Sequence, residues 1–337
     1  MLRKPILLSR EQIDAQIWDN HIHHSRQGVI YALSWYLDIV CEQWQALVWP
    51  SADDFRIAMP LPVRRRFGRR VLYQPLFCQY LGIFSRNEPD AEHCALFLQA
   101  LAAHYPYISS YTFNPETFQL MRGVLDGMKC FDIKVLHTHW LDLNRSYEAI
   151  DSGYSKDRKL NLERGISAKW QMIESDNFKM LRTLFAENHA RRIGRVKNDA
   201  YTMLERLGSK CLENGSGRLL YARADARTHA GTLLTRYRGR TVYLFNAADN
   251  AGRKKNARVL MLDNYFRGNA GAEMVFDFES PEKQSIAEYY AGFGAVAMPF
   301  YQIRRNALPF PLAQIQTLRS WLIIKTRRYL SAGLCRI

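Results

Sequence analysis

The chain has 337 residues, 47% of them hydrophobic and 12% aromatic, which indicates a globular protein of about two domains. Its formal net charge of +15 is unevenly distributed. Residues 1–150 carry 15 Lys/Arg and 15 Asp/Glu, whereas the remainder carries 32 and 17. The positive excess of the second half favours an anionic partner there, such as a nucleotide cofactor, RNA or anionic lipid headgroups; the alternative is that it only maintains solubility.

Cysteine spacing and hydropathy exclude several classes of protein. The six cysteines are widely spaced and include no CxxC pair, which argues against a zinc ribbon and a disulfide framework. No apolar run approaches the roughly 18 residues of a membrane span, and the N-terminus MLRKPILLSREQ becomes polar before a signal-peptide core can form. We therefore expect a cytoplasmic protein without a transmembrane segment.

The first half begins with helical patterns and then changes to strands. Ser9 is a candidate N-cap for a helix over REQIDAQIWDNHI, and a second helix is predicted over IYALSWYLDIVCEQ. Strand patterns follow in WQALVWP, DFRIAMPLPV, RVLYQP and QYLGIF, with an arginine cluster at the turn between two of them. Asp90 would cap a helix over AEHCALFLQALAAHY, and strands follow around YISSYTFN and KVLHTHWLDL. This order predicts an α+β domain.

The second half repeats this order. Helices over SKDRKLNLERGI, DNFKMLRTLFAENHA and NDAYTMLERLGSKCLE precede strands over GRLLYARAD, HAGTLLTRYR and RTVYLFNAAD. A helix (ARVLMLDNYFRG), a strand (AEMVFDFES), a helix (EKQSIAEYYAGF), a strand (AVAMPFYQIRR) and a closing helix over 312–330 complete it. The repeated order predicts a duplicated α+β unit, which we divide into domains at 1–148 and 149–337.

A basic loop separates the strand TVYLFNAAD from the helix ARVLMLDNYFRG. The loop, NAGRKKNA, contains Gly252 and three successive cations. Phosphate is favoured at a helix N-terminus by unpaired N–H groups and the helix dipole, and flanking cations add to that field. We therefore predict a donor-phosphate site, with a solvated basic turn as the alternative. Its predicted members are Asn246, Ala247, Gly252, Arg253, Lys254 and Lys255.

The strand AEMVFDFES ends with two acidic residues at alternate positions. Asp277 and Glu279 therefore project from one face, where one carboxylate can accept a proton from an attacking amine. The alternative is that they pair with neighbouring arginines or cap the next helix.

The segment GYSKDRKLNLERG predicts a short basic helix that begins near Ser155. Such a helix either contacts an anionic substrate at the domain junction or is an exposed amphipathic helix. The spacing leaves both alternatives open.

Other chemical motifs have little support. His21 and His24 have helical spacing without a carboxylate nearby in sequence, and His137 and His139 alternate on a strand. The sequence contains no GxSxG, no P-loop and no Cys/His pair of recognisable spacing. We expect no metal ion.

Three basic clusters contain or adjoin aromatic residues, which favours contact with phosphates of RNA. No cluster matches a base-reading module, so a folded partner such as tRNA is preferred to specific DNA. The clusters are Arg191, Arg192, Arg195 and Lys197; Arg236, Tyr237, Arg238 and Arg240; and Arg327, Arg328 and Tyr329.

Taken together, three stretches of the second half resemble the FemABX-like branch of the GNAT acyltransferase superfamily. They are GYSKDRKLNLERG, YLFNAADNAGRKKNARVLMLD, and FDFES followed by YYAGFGAVAMPFYQIRRN. The resemblance covers about residues 150–310, with weaker support from YQPLFCQYLGIF in the first half. The GNAT pyrophosphate loop normally carries more than one glycine, whereas the loop here carries one.

The resemblance implies an α+β fold of two tandem GNAT-like domains, each a mixed, mostly antiparallel sheet flanked by helices, with an interdomain cleft. It implies direct attack of an amine on the donor carbonyl, so that no covalent nucleophile is needed. Donors in this branch divide between acyl-CoA and aminoacyl-tRNA, the latter used by peptidoglycan-building enzymes.

We therefore predict an N-acyltransferase that moves an acyl group from acyl-CoA to an amine on a small molecule or cell-envelope precursor. Asp277 or Glu279 would orient or deprotonate the acceptor, and Tyr290 would protonate the departing thiol. The alternatives are an aminoacyl-tRNA donor and a catalytically inactive GNAT-like scaffold. Candidate substrate contacts are Tyr154, Lys156, Arg158 and Gln79.

Overall fold

The structure, a computed structural model, describes residues 3–66, 68–87, 89–188, 198–279 and 283–319. In the first half the helices are α1 Ala15–His24, α2 Ser34–Val40, α3 Ala91–His104 and α4 Phe118–Leu125. The strands are β1 Ile6–Ser9, β2 Gln43–Pro50, β3 Phe55–Arg66, β4 Arg69–Leu72, β5 Phe84–Ser85, β6 Tyr107–Thr112 and β7 Asp132–Asp142.

The second half has a similar alternation of helices and strands. Its helices are α5 Tyr147–Ser152, α6 Lys156–Ser167, α7 Phe178–Asn188, α8 Asn198–Glu213, α9 Asn250–Lys254, α10 Ala257–Asn269, α11 Gln284–Ala291 and α12 312–319. Its strands are β8 Gln171–Glu174, β9 Gly217–Ala224, β10 Arg227–Tyr237, β11 Arg240–Ala248, β12 Val275–Asp277 and β13 Val296–Asn306. None of the described helices is long and apolar enough to cross a membrane.

The described strands form one continuous sheet. Its order is β1-β2-β3-β4-β6-β13-β7-β12-β11-β10-β9-β8, with β5 paired to β3. Neighbouring strands are antiparallel except for two parallel pairs, β4 with β6 and β11 with β12. The prediction of an α+β fold with mixed, mostly antiparallel sheets is therefore confirmed.

The two halves exchange their last strands. β7 ends the first half in sequence but pairs with β12, and β13 ends the second half but pairs with β6. β13 and β7 then join the halves through nine antiparallel pairs, from Val296–Trp140 to Arg304–Asp132. Each half thus has four antiparallel strands, a fifth parallel to the fourth, and a last strand supplied by the other half. The boundary at residue 148 stays a prediction.

Buried apolar side chains lie on both faces of this sheet. One large core joins the first half to α7 and α8, for example through Leu181, Leu204 and Tyr221. A second core lies beneath α5, α6, α10 and α11 and is rich in phenylalanine, including Phe266, Phe276 and Phe278. The second half therefore has helices on both sides of β9–β12, and the parallel pair is held between them.

Two predicted helices differ from the structure, and the predicted strand QYLGIF is reduced to β5 at its end. Ser9 caps a 3₁₀ turn, Arg10–Gln12, and α1 begins later because Asp14 accepts a hydrogen bond from Ile17 N–H and acts as its N-cap. The predicted second helix is divided into a 3₁₀ turn, Ile30–Ala32, and α2. The predicted cap Asp90 and the predicted helix start near Ser155 are confirmed, since each of these residues accepts a hydrogen bond from a first-turn N–H.

Candidate active site at the parallel strand pair

The site is built where β11 and β12 stop pairing, which we call the β11/β12 fork. Parallel pairing runs from Arg240–Val275 to Val242–Asp277; there β12 ends, while β11 continues to Ala248 along β10. Phe276 and Phe278 are buried in the core below the sheet. Asp277 and Glu279 contact the first half instead, as the alternation of the sequence requires.

Asp277 is fully buried and holds the two halves together. Its Oδ2 accepts a hydrogen bond from Tyr80 Oη, and its Oδ1 accepts from Thr138 Oγ1 at 2.6 Å and from Glu279 N–H at 3.0 Å. Tyr80 in turn accepts a hydrogen bond from Arg240 at 2.8 Å. Both carboxylate oxygens are therefore engaged by neutral donors of the protein, which is the arrangement of a structural acceptor.

Glu279 is the more available carboxylate. It is half-buried and has a left-handed backbone, with φ of 49°, which is unusual for a non-glycine residue. Its Oε1 accepts a hydrogen bond of 2.5 Å from Tyr31 Oη, across the junction between the halves. Burial raises the pKa of Glu279 to about 8; the nearby charge of Asp277 acts in the same direction, and the Tyr31 hydrogen bond opposes them. The carboxyl can therefore exchange a proton near neutral pH.

Tyr290 lies in α11, close enough to the fork for the charge of Glu279 to act on it. Its ring stacks on Phe278 with centroids 4.5 Å apart and meets Tyr243 edge-on at 6.2 Å. Burial raises the pKa of Tyr290 well above its usual value, and the charge of Glu279 also raises it while Arg258 lowers it. Tyr290 is therefore a neutral phenol with both an acidic and a basic residue in its surroundings.

Arg258 brings a positive charge to the fork from the first turn of α10. Its Nη1 donates to Asn246 Oδ1 at 2.7 Å. Burial lowers the pKa of Arg258, but the phenol groups of Tyr243, Tyr289 and Tyr290 outweigh this effect and leave it above the usual value. The guanidinium is therefore a fixed cation within a largely aromatic surrounding.

The predicted phosphate loop is largely helical, and the N–H of its glycine is already engaged. Asp249 is the N-cap of α9 and accepts a hydrogen bond of 2.7 Å from Gly252 N–H, while its other oxygen lies 2.8 Å from His229 Nδ1. Gly252 is buried against β10, where a Cβ atom would lie 2.3 Å from His229 O. The structure therefore gives this glycine a packing reason, close approach to a strand.

The next helix offers the unused N–H groups. Asn256, the N-cap of α10, has a left-handed backbone and makes no side-chain cap. Within the described residues, the main-chain N–H groups of Ala257 and Arg258 donate no hydrogen bond. Lys254 and Lys255 are exposed directly before this turn. Of the other predicted donor contacts, Arg253 donates to Ala248 O at 2.6 Å and Ala247 is fully buried.

The predicted substrate contacts occupy different environments. Tyr154 is buried and donates to Asp263 Oδ1 at 3.0 Å, on the core side of α10, whereas Lys156 is exposed. Gln79 is half-buried, and its carbonyl accepts from Thr112 Oγ1 at 2.6 Å.

Arg158 is a buried cation beneath α11. Its guanidinium lies 4.1 Å from the ring centroid of Tyr289 and 4.2 Å from that of Phe293, and Nη2 donates to Tyr289 O at 2.7 Å. Burial lowers its pKa. Arg158 therefore fixes the helix that carries Tyr290.

The basic clusters are only partly described. Arg238 donates to Ser25 O, and Arg240 forms an ion pair of 2.7 Å with Glu116, so two members of the middle cluster bind the protein itself. The clusters at 191–197 and 327–329 lie outside the described residues. Among the residues that the structure does describe, no three His, Cys, Asp or Glu side chains are placed to hold a metal ion.

Sequence reasoning missed three members of the site: Tyr31, Tyr243 and Arg258. Arg258 follows the basic loop directly and could have been added from the position of its helix N-terminus. Tyr243 lies in the strand that was already predicted to lead into that loop. Tyr31 is 248 positions from Glu279, and no local pattern connects them.

Comparisons with known proteins agree with this architecture. Residues 155–279 match the family model described as an acetyltransferase (GNAT) domain. No curated protein matches the sequence.

Solved structures show the same fold at low sequence identity. FemX is 11% identical with a TM-score of 0.64, over 90% of this chain and 98% of that one. A conserved protein of unknown function from Bacteroides thetaiotaomicron VPI-5482 is 9% identical with a TM-score of 0.56, over 87% and 97%. L-PGS from Bacillus licheniformis is 11% identical with a TM-score of 0.51, over 95% and 98%. The chain therefore has a FemABX-like fold of tandem GNAT-like units, and residues 155–279 are its matched GNAT domain.

Proposed function

We propose that the protein is an N-acyltransferase that moves an acyl group from acyl-CoA to an amine, with Glu279 as the general base. The observation that carries this proposal is the carboxyl of Glu279 at the β11/β12 fork, with a pKa raised to about 8 and a hydrogen bond from Tyr31. A base whose pKa is near the working pH combines a useful ionised fraction with enough basicity to take a proton.

In the proposed reaction, the amine nitrogen attacks the thioester carbonyl while Glu279 takes a proton from that nitrogen. The new C–N bond forms, the C–S bond breaks, and the sulfur leaves with the bonding electrons. Tyr290 supplies a proton to the departing thiolate and regains one from solvent. Its raised pKa keeps the phenol protonated until then.

Arg258 would stabilise the negative charge that develops on the carbonyl oxygen. The guanidinium is held by Asn246 and surrounded by phenol groups, so it needs little rearrangement during the reaction. Asp277 would act only through position, because its hydrogen bond from Glu279 N–H fixes the backbone that carries the base.

The donor phosphates would lie at the first turn of α10, beside Lys254 and Lys255. This places the donor one short helix later than the loop glycine suggests, because Asp249 already caps α9. The main-chain N–H groups of Ala257 and Arg258 would donate hydrogen bonds to phosphate oxygens, and the two lysines would add positive charge. The other predicted donor residues would help to hold this turn in place rather than contact the phosphates; they are Asn246, Ala247, Gly252 and Arg253.

The catalytic part of the proposal is tested by transfer from acetyl-CoA or a longer acyl-CoA to a panel of amines. We expect Glu279→Gln to lower the transfer rate by about 100-fold or more, the usual effect of removing a general base. Glu288→Gln, an exposed carboxylate in α11, is the matched control and should retain activity. Equal rates for Glu279→Gln and the control would reject Glu279 as the base.

The donor is tested separately by calorimetry. Acyl-CoA should bind saturably, and Lys254→Glu with Lys255→Glu should weaken binding at least tenfold. Lys179→Glu, an exposed lysine on α7, should not change it. Without saturable binding, or with wild-type affinity in the double variant, the acyl-CoA assignment fails.

The second candidate function is transfer from aminoacyl-tRNA, favoured by the positive excess of the second half. It predicts retention of tRNA on purification and a steep loss of binding with salt. If neither donor binds and Glu279→Gln leaves the cellular role intact, the chain is the inactive GNAT-like scaffold instead.

A further inference from the structure

A second surface, remote from the fork, combines arginines with exposed apolar side chains. The β3–β4 hairpin places Arg66 opposite Arg69 and Arg65 opposite Arg70. Like charges directly opposite each other on a sheet are unfavourable. Because side chains alternate along a strand, Arg66 and Arg69 share one face with Val71 and project towards α12.

Helix α12 is anchored to the sheet through polar groups. Gln316 Nε2 donates to Tyr107 Oη at 2.6 Å, and Asn306 Nδ2 donates to Ala313 O at 3.0 Å and to Thr317 Oγ1 at 3.1 Å. These bonds fix which side of the helix faces the protein. Its apolar residues are therefore left partly uncovered.

The uncovered residues form an apolar edge beside the arginines. Phe310 is 82% exposed, and Ile315 and Leu318 are each 58% exposed. Of these three, Ile315 lines an open cavity of about 230 Å³, whose other lining residues are Arg66, Arg69, Val71, Tyr107, Leu308, Leu312 and Gln316. Exposed apolar side chains in such a group are typical of an interaction surface.

Charge indicates which partner fits. Arg69 and Arg70 are exposed, and within the described residues the side chain of Arg69 makes no hydrogen bond or ion pair. On the other side of Tyr107 and Gln316, a second cavity of about 450 Å³ is lined by Lys129, Arg304 and Arg305, with Asp132 as an opposing charge. The apolar edge thus has cations on both sides, which complements a surface that is anionic outside and apolar inside.

We propose that this face, formed by Arg66, Arg69, Phe310, Ile315 and Leu318, binds peripherally to anionic lipid bilayers. The arginines contact the headgroups, and the three apolar side chains enter the boundary between headgroups and acyl chains. The proposal is independent of the donor and of the role of Glu279, since none of these residues lies at the fork.

Flotation of the full-length protein with vesicles tests it. Vesicles that contain phosphatidylglycerol should bind the protein at least tenfold more tightly than pure phosphatidylcholine vesicles, and salt should weaken the binding. Phe310→Ser with Ile315→Ser and Leu318→Ser, and separately Arg66→Glu with Arg69→Glu, should each lower the affinity at least tenfold. Melting temperatures confirm that the variants fold.

Two controls match these variants. Ile166→Ser removes an apolar side chain of similar exposure, 53%, from α6, and Arg227→Glu reverses an exposed charge at the start of β10. Both should bind vesicles as the wild type does.

Four results would overturn the proposal. The first is equal binding to neutral and anionic vesicles, and the second is wild-type vesicle binding by both surface variants. The third is a wild-type dimer that the apolar variant converts to a monomer while vesicle binding is absent, which would assign the face to a second copy of the chain. Loss of tRNA binding alone in the arginine variant would likewise assign it to nucleic acid.

Discussion

The two halves of the sheet have the same strand order but differ beside their parallel pairs. In the first half, β4 pairs with β6 only at Leu72–Ile108, and the returning chain then lies along β6, where Leu81 pairs with Phe113. Leu81 N–H donates to Thr112 O at 2.9 Å, and Gln74 accepts from Thr112 N–H at 3.1 Å. Main-chain and amide groups of the protein thus occupy this position.

In the second half, the corresponding fork is bordered by side chains that can do chemistry. Among the described residues, β11 continues beyond Val242 without a strand partner on that side, and the charges of Glu279 and Arg258 both act on Tyr290. The first half still contributes, because Tyr31 and Tyr80 hold the two carboxylates. Two units with the same strand order therefore differ beside their parallel pairs. In the first half, main-chain and amide groups of the protein fill this position; in the second half, titratable side chains border it, and tyrosines of the first half hold its two carboxylates.

The largest expected effect is the loss of stability when Asp277, which holds the two halves together, is replaced. Asp277→Ala removes the acceptor of three donors, Tyr80, Thr138 and the N–H of Glu279, and leaves them buried without a partner. We expect a loss of about 3–5 kcal/mol in the free energy of unfolding, measured by urea denaturation. Asp142→Ala, at the exposed end of β7, should cost less than about 1 kcal/mol. Similar losses in both variants would contradict the supporting role.

Two glycines, one in each half, test how tightly the protein is packed around them. Gly252→Ala would place a Cβ atom 2.3 Å from His229 O, whereas Gly123→Ala in α4 has no atom within 4 Å. We expect Gly252→Ala to destabilise the protein by about 1–3 kcal/mol, the usual cost of overpacking. Gly123→Ala should stabilise it by up to about 1 kcal/mol through helix propensity. Thermal unfolding measures both, and a neutral Gly252→Ala would remove the packing explanation.

The raised pKa of Glu279 makes stability depend on pH. Between the unfolded value near 4.5 and the folded value of about 8, the folded state binds more protons, so stability falls as the pH rises through this range. Glu279→Gln does not titrate, and its stability relative to the wild type should be about 3–4 kcal/mol more favourable at pH 9 than at pH 5. Unfolding at the two pH values measures this difference. A difference that is independent of pH would contradict the raised pKa.

The smallest expected effect tests the contact between the halves at the reactive fork. The hydrogen bond from Tyr31 lowers the pKa of Glu279, so Tyr31→Phe should raise it. The pH profile of kcat/KM should therefore move to higher pH, with a moderate loss of rate at pH 7. Tyr73→Phe, in the first half away from the fork, should leave the profile in place. An unchanged profile in Tyr31→Phe would show that this bond does not set the basicity of Glu279.

Local sequence patterns were sufficient to predict the secondary structure and much of the fold class. Periodicity and capping residues predicted most helices and strands, and the repeated order predicted the duplicated unit, because these signals depend on near neighbours. The alternation in FDFES also placed Asp277 and Glu279 on one side of β12. The glycine and lysines of the basic loop were correctly seen to precede a helix, but the short α9 and its cap by Asp249 were not.

The chemical roles of these residues depend on contacts that are visible only in the tertiary structure. It gave the two carboxylates different roles, since Tyr80 and Thr138 donate to both oxygens of Asp277, while burial raises the pKa of Glu279 to about 8. It also exchanged β7 and β13 between the halves, an event that no local pattern encodes. Both results depend on contacts between residues that are more than a hundred positions apart, and sequence spacing carries no information about such contacts. For Glu279, burial and hydrogen bonding of this kind set the protonation of the carboxyl.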